Sequence, residues 1–214
     1  MTRPSQNTDL KLIETAKKLI PKVGFSGLKI REICKKAGVN LGMFNYHFKT
    51  KEKFVEILLT DVYSQFFKHF QIESEHGKNS YERLKNSLMN IGFFIRDNRF
   101  IIMAILEEVI AGNKRIMDFV KSNMMKHLSI MLNLVKECQK DGYIIEINPI
   151  MVALSLFPTI AAPNILSRIV EKYTDKTFLG NFTSLLNSMI ISDIALKKRV
   201  EIALRGVTVR GTNK

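Results

Sequence analysis

Asn45 carries a carboxamide, a donor and an acceptor held side by side, which is the pattern adenine presents in the major groove of a duplex. It lies in the run Leu41-Gly42-Met43-Phe44-Asn45-Tyr46-His47-Phe48, flanked by Lys29, Lys49 and Lys51. Ammonium groups of that kind neutralise phosphate and set register without reading sequence. If the run is helical, at about 100° per residue, Phe48 stacks beside Phe44 while Gly42, Met43, Asn45 and Tyr46 turn away from them. Leu41, Met43, Asn45 and Tyr46 are therefore expected near base edges or sugar, and Tyr46 can equally reach a phosphate through its hydroxyl. Gly42 lets such a helix approach closely. Lys29 and Lys51, with Lys49 and His47, would position the duplex through phosphate. His47 is also open to the plainer reading of a packing residue, since it sits on the flank of the core.

Two short helices must hold that face. Ile30, Ile33, Cys34 and Ala37 form one apolar stripe, Gly38 ends it, and Asn40 caps a second helix that buries Phe44 and Phe48. Glycine suits this turn because a helix commonly closes with one residue in the left-handed region, where a β-carbon is penalised. The arrangement is a helix-turn-helix. A preceding helix, capped by Thr8, carries Leu12, Ile13, Ala16, Leu19, Ile20 and Val23 inward and closes at Gly24. Pro21 in its last turn is expected to bend it or stop it early. Phe25 plugs the small core. Thr50 caps a long fourth helix that runs through Phe54, Leu58, Val62, Phe66 and Phe70 at steps of four.

The chain has 214 residues and a formal charge of +13 from 33 Lys and Arg against 20 acids, a balance that favours a polyanionic partner. The first 60 residues carry +7 of it and the remaining 154 carry +6, so charge density is greatest around the helix-turn-helix. Cys34 and Cys138 are the two cysteines, without paired ligand spacing, which argues against a disulfide framework or zinc site and fits a reducing cytoplasm. The amino terminus lacks the apolar core of a signal peptide.

From Ser80 onward only helical periods appear, punctuated at Asp97-Asn98, Gly112-Asn113, Asp141-Gly142, Asn148-Pro149 and around Tyr173 to Lys176. The expected fold is all-α, about nine helices, with a head at residues 8–66 and a helical body at 67–206, divided along the connector helix.

Gly24-Phe25, Ile30-Arg31-Glu32-Ile33, Ala37-Gly38-Val39-Asn40, Gly42, Tyr46-His47-Phe48 and Lys51-Glu52 together resemble the amino-terminal domain of the tetracycline-repressor (TetR) family of bacterial transcriptional regulators. The match covers about the first 60 residues, and several fixed spacings agree at once. Downstream, only the architecture is similar. The resemblance implies a cytoplasmic homodimer on a palindromic double-stranded DNA operator, repressing until a small lipophilic effector in the body releases it. Two positions depart from the pattern. Leu28-Lys29 stands where relatives usually have Thr-Ser, so a phosphate-touching hydroxyl cap is replaced by the point charge of Lys29. Asn45 stands where many have Tyr, so operator preference is not transferable.

The body offers two further groups. Phe66, Phe70, Phe93, Phe94, Met103, Met117, Met124 and Met131 concentrate adaptable apolar side chains, and seven of the ten Met lie between 89 and 151, which suits a pocket for lipophilic compounds as well as it suits ordinary core filling. Glu107 of the adjacent pair Glu107-Glu108 could oppose a cationic ligand, with at least one of the two facing water. Pro149 to Leu166 approaches the roughly 20 apolar residues of a membrane span, but Pro158, Pro163 and its polar atoms favour burial between subunits. Leu154, Phe157 and Ile165 would join Phe182, Leu185, Leu186, Met189 and Ile190 of a last helix in a four-helix bundle across a two-fold axis.

No Walker loop, nucleophile elbow or histidine pair is present, so neither an enzyme nor a cofactor or metal site is expected. The competing classes are a helical enzyme or lipid-binding protein with a basic head, distinguished by turnover without DNA preference, and a membrane-associated helical protein, distinguished by partition into bilayers.

Overall fold

The computed structural model describes residues 7–173, 185 and 187–209. Their regular structure is helical: α1 (Asn7–Val23), α2 (Ile30–Ala37), α3 (Leu41–Phe48), α4 (Lys51–Glu75), α5 (Ser80–Asp97), α6 (Arg99–Ile110), α7 (Lys114–Lys140), α8 (Pro149–Tyr173), a π-helical segment (Asn187–Ile191) and α9 (Asp193–Arg205). An antiparallel bridge, Ile144 to Thr208, ties the segment after α7 to the segment after α9.

The chain forms two compact units. The first comprises residues 1–65 and 100–120, and the second comprises 66–99 and 121–214. Sequence reasoning places 100–120 in the body, whereas the structure folds this stretch into the head unit. The reason is burial: Ile101, Ala104 and Ile116 share one apolar core with Leu12, Ala16, Phe25, Phe44, Phe54 and Leu58. Helical periodicity marks those three as inward-facing but does not say which core receives them.

In the first unit, α1 runs through Pro21 to Val23, and Gly24 donates back to the carbonyl of Ile20 at 2.9 Å. The expected early stop does not occur, because Leu19 and Ile20 on the same turn are buried and packing holds the helix together. Lys17 of α1 bonds Asp61 of α4 at 2.8 Å and Glu14 at 2.7 Å. Burial disfavours its ammonium, but these two carboxylates outweigh that and raise its pKa.

In the second unit α5, α8 and α9 pack on one another. Gly92 permits the approach: a β-carbon there would stand 3.0 Å from Ile160 Cγ2 and 3.1 Å from both δ-carbons of Leu196. Val152, Leu156, Ile160, Asn164 and Ser167 form the buried face of α8. Pro158 and Pro163 are accommodated inside this helix. Asn164 donates to the Ile160 carbonyl and Ser167 to the Asn164 carbonyl, so both buried polar side chains are satisfied.

Most of the last helix foreseen from sequence, Phe178 to Leu186 apart from Leu185, lies outside the described residues. Ser192 caps a separate α9, its hydroxyl accepting from Ala195 N at 3.2 Å. Ser192 followed by Asp193 is a helix-start signal just beyond the apolar stripe that ends at Ile190, and sequence reasoning did not single it out.

Candidate nucleic-acid interface

Gly38 takes the left-handed conformation, φ 65° and ψ 34°, and Val39 N donates to the Cys34 carbonyl at 3.0 Å, closing α2 in a Schellman-type turn. Asn40 is extended, and its Oδ1 accepts from Met43 N at 2.8 Å, starting α3 as the sequence indicates. Phe44 and Phe48 are buried. Their rings lie 5.2 Å apart and meet Phe54 of α4 at 5.2 and 4.8 Å, an aromatic trio that mounts α3 on the first turn of α4. Thr50 Oγ1 accepts from Lys53 N at 3.1 Å, the expected cap of α4.

With Phe44 and Phe48 inward, the opposite side of α3 faces out. Tyr46 is 68% exposed and Leu41 41% exposed, Gly42 and Asn45 are exposed, and Met43 is half-buried. His47 is half-buried between the rings of Tyr46 and Phe48, at 5.2 and 5.9 Å, with its Nε2 enclosed and without a hydrogen-bond partner. Its ring therefore packs, as the plainer reading has it, and leaves one polar atom unsatisfied.

Lys29 is exposed at the start of α2, where the helix has no side-chain cap, so first-turn amides remain open beside an ammonium group. Arg31, Lys35, Lys36 and Lys49 are also exposed. Lys49 closes α3 with φ 62° and ψ −50°, and Thr50 N reaches back to the Phe48 carbonyl at 2.7 Å, a tight γ-type turn. Lys51 is placed differently from the free phosphate ligand foreseen: it is half-buried and its Nζ donates to the Ser26 carbonyl at 2.8 Å.

The residues foreseen as an apolar pocket do not all fall together. Phe66 and Phe70 are buried in the second unit, where Phe66 stacks on Phe94 at 4.2 Å and the edge of His127 meets both Phe66 and Phe70. Met131 is buried in that unit too, and Phe93 there carries the guanidinium of Arg96 4.9 Å above its ring. Met103, Glu107 and Met117 belong to the first unit, each half-buried. The side chain of Met124 lies outside the described residues. His127 was not anticipated, although its position four residues before Met131 on α7 marks the same stripe. Burial pushes its imidazole below the ordinary value, against a hydrogen bond that the ring donates to the backbone of Asn123, which raises it.

On α8, Leu154 is 67% and Phe157 45% exposed, alongside exposed Ile150, Met151 and Leu166, which sequence reasoning did not single out. Ile165 and Ile190 are half-buried, and Leu185 and Met189 are exposed. Phe182 and Leu186 lie outside the described residues. By length and composition α8 could cross a membrane, yet its inner face is buried against protein and includes Asn164 and Ser167. Among the described residues no group of three or more His, Cys, Asp or Glu could hold a metal.

Residues 12–58 match the family model described as bacterial regulatory proteins, tetR family. Over 136 residues the chain is 27% identical to "Probable HTH-type transcriptional regulator YttP" of Bacillus subtilis (strain 168), spanning 63% of this chain and 66% of that protein, just under two thirds of its length. Among solved structures, the ketosteroid transcriptional regulator KstR2 of Mycobacterium tuberculosis superposes with a TM-score of 0.71 at 16% identity, covering 98% of each chain. A Saccharomonospora viridis protein in complex with choline gives 0.75 at 17% identity over 96% of this chain and 100% of that one. The transcriptional regulator FadR of Bacillus subtilis in complex with stearoyl-CoA gives 0.64 at 18%, over 86% and 98%. At such identities the structures speak for a shared fold.

Proposed function

We propose that the chain is a member of the tetracycline-repressor (TetR) family of bacterial transcriptional regulators and acts as a cytoplasmic homodimer that represses transcription from a palindromic operator; the family-model match of residues 12–58 and the 27% identity to a probable HTH-type regulator support this. The observation that carries this reading is the outward row Leu41, Gly42, Asn45 and Tyr46 on a helix fixed from behind by a cap and three packed rings. A rigid mount with exposed polar and apolar groups is what base readout in a major groove requires. The exposed cations around it supply the phosphate contacts, with Lys29 at the open end of α2 foremost.

Two such heads read successive half-sites of a duplex. Exposed Leu154 and Phe157, continuous with Ile150, Met151 and Leu166, give α8 an apolar face of the kind a second copy covers. Buried Phe66 and Phe70 with half-buried Phe94 give the body an aromatic cluster against which a lipophilic effector would pack. Two structural neighbours were solved in complex with small molecules, choline in one and stearoyl-CoA in the other, and the second is of the lipophilic kind proposed here.

Selection of bound fragments from random duplexes tests the proposal. It should recover a two-fold symmetric sequence whose half-sites lie about one helical turn apart, with affinity that falls steeply as salt rises. Recovery of no preferred sequence, or a flat salt response, would remove the basis for the reading.

A further inference from the structure

Glu108 stands in the second half of α6 beside half-buried Glu107, at the three- and four-residue spacing that turns Ile101 and Ala104 inward, and is only 8% exposed. A carboxylate so enclosed needs donors, and it has them. Its Oε1 accepts from both the backbone N–H (2.9 Å) and the hydroxyl of Ser26, 82 residues earlier in the chain. Its Oε2 accepts from Asn113 Nδ2 at 2.9 Å, while Asn113 N donates to the Glu108 carbonyl at 2.9 Å. Ser26 in turn presents its carbonyl to Lys51 Nζ. Burial works against the ionised form, but the Ser26 and Asn113 hydrogen bonds outweigh it and hold the carboxyl below the usual range, with Lys51 contributing through its charge.

An apolar side chain of similar size would stabilise this core at least as well as a buried charge does, so stability alone is a weak account of the carboxylate. What it achieves is a fixed geometry. Ser26 lies in the six-residue link, 24–29, between α1 and α2, which sets where the uncapped amino end of α2 begins. Asn113 lies in the turn from α6 to α7, at whose corner Gly112 has φ 79°.

We infer that Glu108 is a positioning residue for the duplex-facing side of the head: from α6 it fixes the link between α1 and α2 through Ser26 and, through the Ser26 carbonyl, the ammonium of Lys51. The inference rests on the DNA-binding reading above. Glu108 touches no nucleic acid itself, and its carboxylate is a polar link from the α6–α7 corner to the segment before α2, beside the apolar core that Ile101, Ala104 and Ile116 share with Phe25 and Leu28.

The test uses the full chain and, as probe, the tightest duplex that the unaltered protein selects from random oligonucleotides. Glu108→Gln keeps the volume but loses acceptor capacity for at least one of three donors, and should weaken binding by about fivefold to tenfold. Ser26→Ala should act in the same direction, and the double variant should bind no more weakly than Glu108→Gln alone, because both remove one linkage. The slope of log affinity against log salt should stay that of the unaltered protein, since no phosphate contact is lost. Affinities within about twofold of the unaltered protein for both variants, additive losses, or a slope changed by about one would overturn the inference. Should Glu108→Gln fail to fold, Ser26→Ala decides, because Ser26 is at the surface. If the unaltered protein selects no duplex, the DNA-binding reading falls first and this inference with it.

Discussion

Lys49 is, among the described residues, the residue other than glycine with positive φ. At φ 62° and ψ −50° its β-carbon is held in a sparsely populated region, a conformation that costs about 1–3 kcal/mol for a side-chain-bearing residue. Lys49→Gly removes that cost but gives the unfolded chain more freedom, which offsets about 0.4–1 kcal/mol. Lys49→Ala removes the charge equally and keeps the β-carbon, so it isolates the backbone term. The glycine variant should be more stable than the alanine variant by about 1 kcal/mol, or about 2–4 °C in melting temperature for a chain of this size. In DNA binding the two should be alike, because Lys49 is exposed and both variants lose the same charge. If that charge meets a phosphate, each reduces the salt slope by about 0.9. Denaturant midpoints measured beside salt-dependent fluorescence anisotropy separate the two effects. An alanine variant as stable as the glycine variant, or more so, would refute the argument from backbone geometry.

Asn40→Ala removes the acceptor of Met43 N and should lower stability by about 1 kcal/mol in urea, and a loss of no more than about 0.2 kcal/mol would mean the cap does little. Leu154→Glu places a charge on the exposed apolar face of α8 and should yield monomers by analytical ultracentrifugation with unchanged helicity, whereas a persistent dimer would put the interface elsewhere. For His127 the folded pKa lies below the unfolded value near 6.5, so the unfolded chain binds the proton first and stability should decline as pH falls from about 6.5 toward the folded value. His127→Phe should flatten that decline between about pH 7.5 and 5.5, and equal slopes in the two proteins would remove His127 from the account.

Local chemistry made the head legible from sequence. Gly38, Asn40 and Thr50 each act on a backbone amide or a conformation within four residues, and Phe44 and Phe48 share a face by helical spacing alone. What escaped sequence reasoning depends on distant partners. The Glu108 and Ser26 hydrogen bonds span 82 residues, and nothing near either residue signals the other. Lys51 looks like a free cation until the Ser26 carbonyl is brought to it. Pro21 ought to end a helix, but buried Leu19 and Ile20 outweigh the local penalty. The body was legible as helices, while the assignment of residues 100–120 to the first core required knowing which apolar stripes meet.

The three rings of Phe44, Phe48 and Phe54 have a consequence for how the protein changes over generations. On the proposed reading, α3 is bolted to the connector by interlocking aromatics, so re-aiming it would disturb the packing of the head, whereas the groups it displays can be exchanged without touching that packing. Substitutions at Leu41, Asn45 and Tyr46 would then redirect the protein to other promoters while the mount behind them stays as it is.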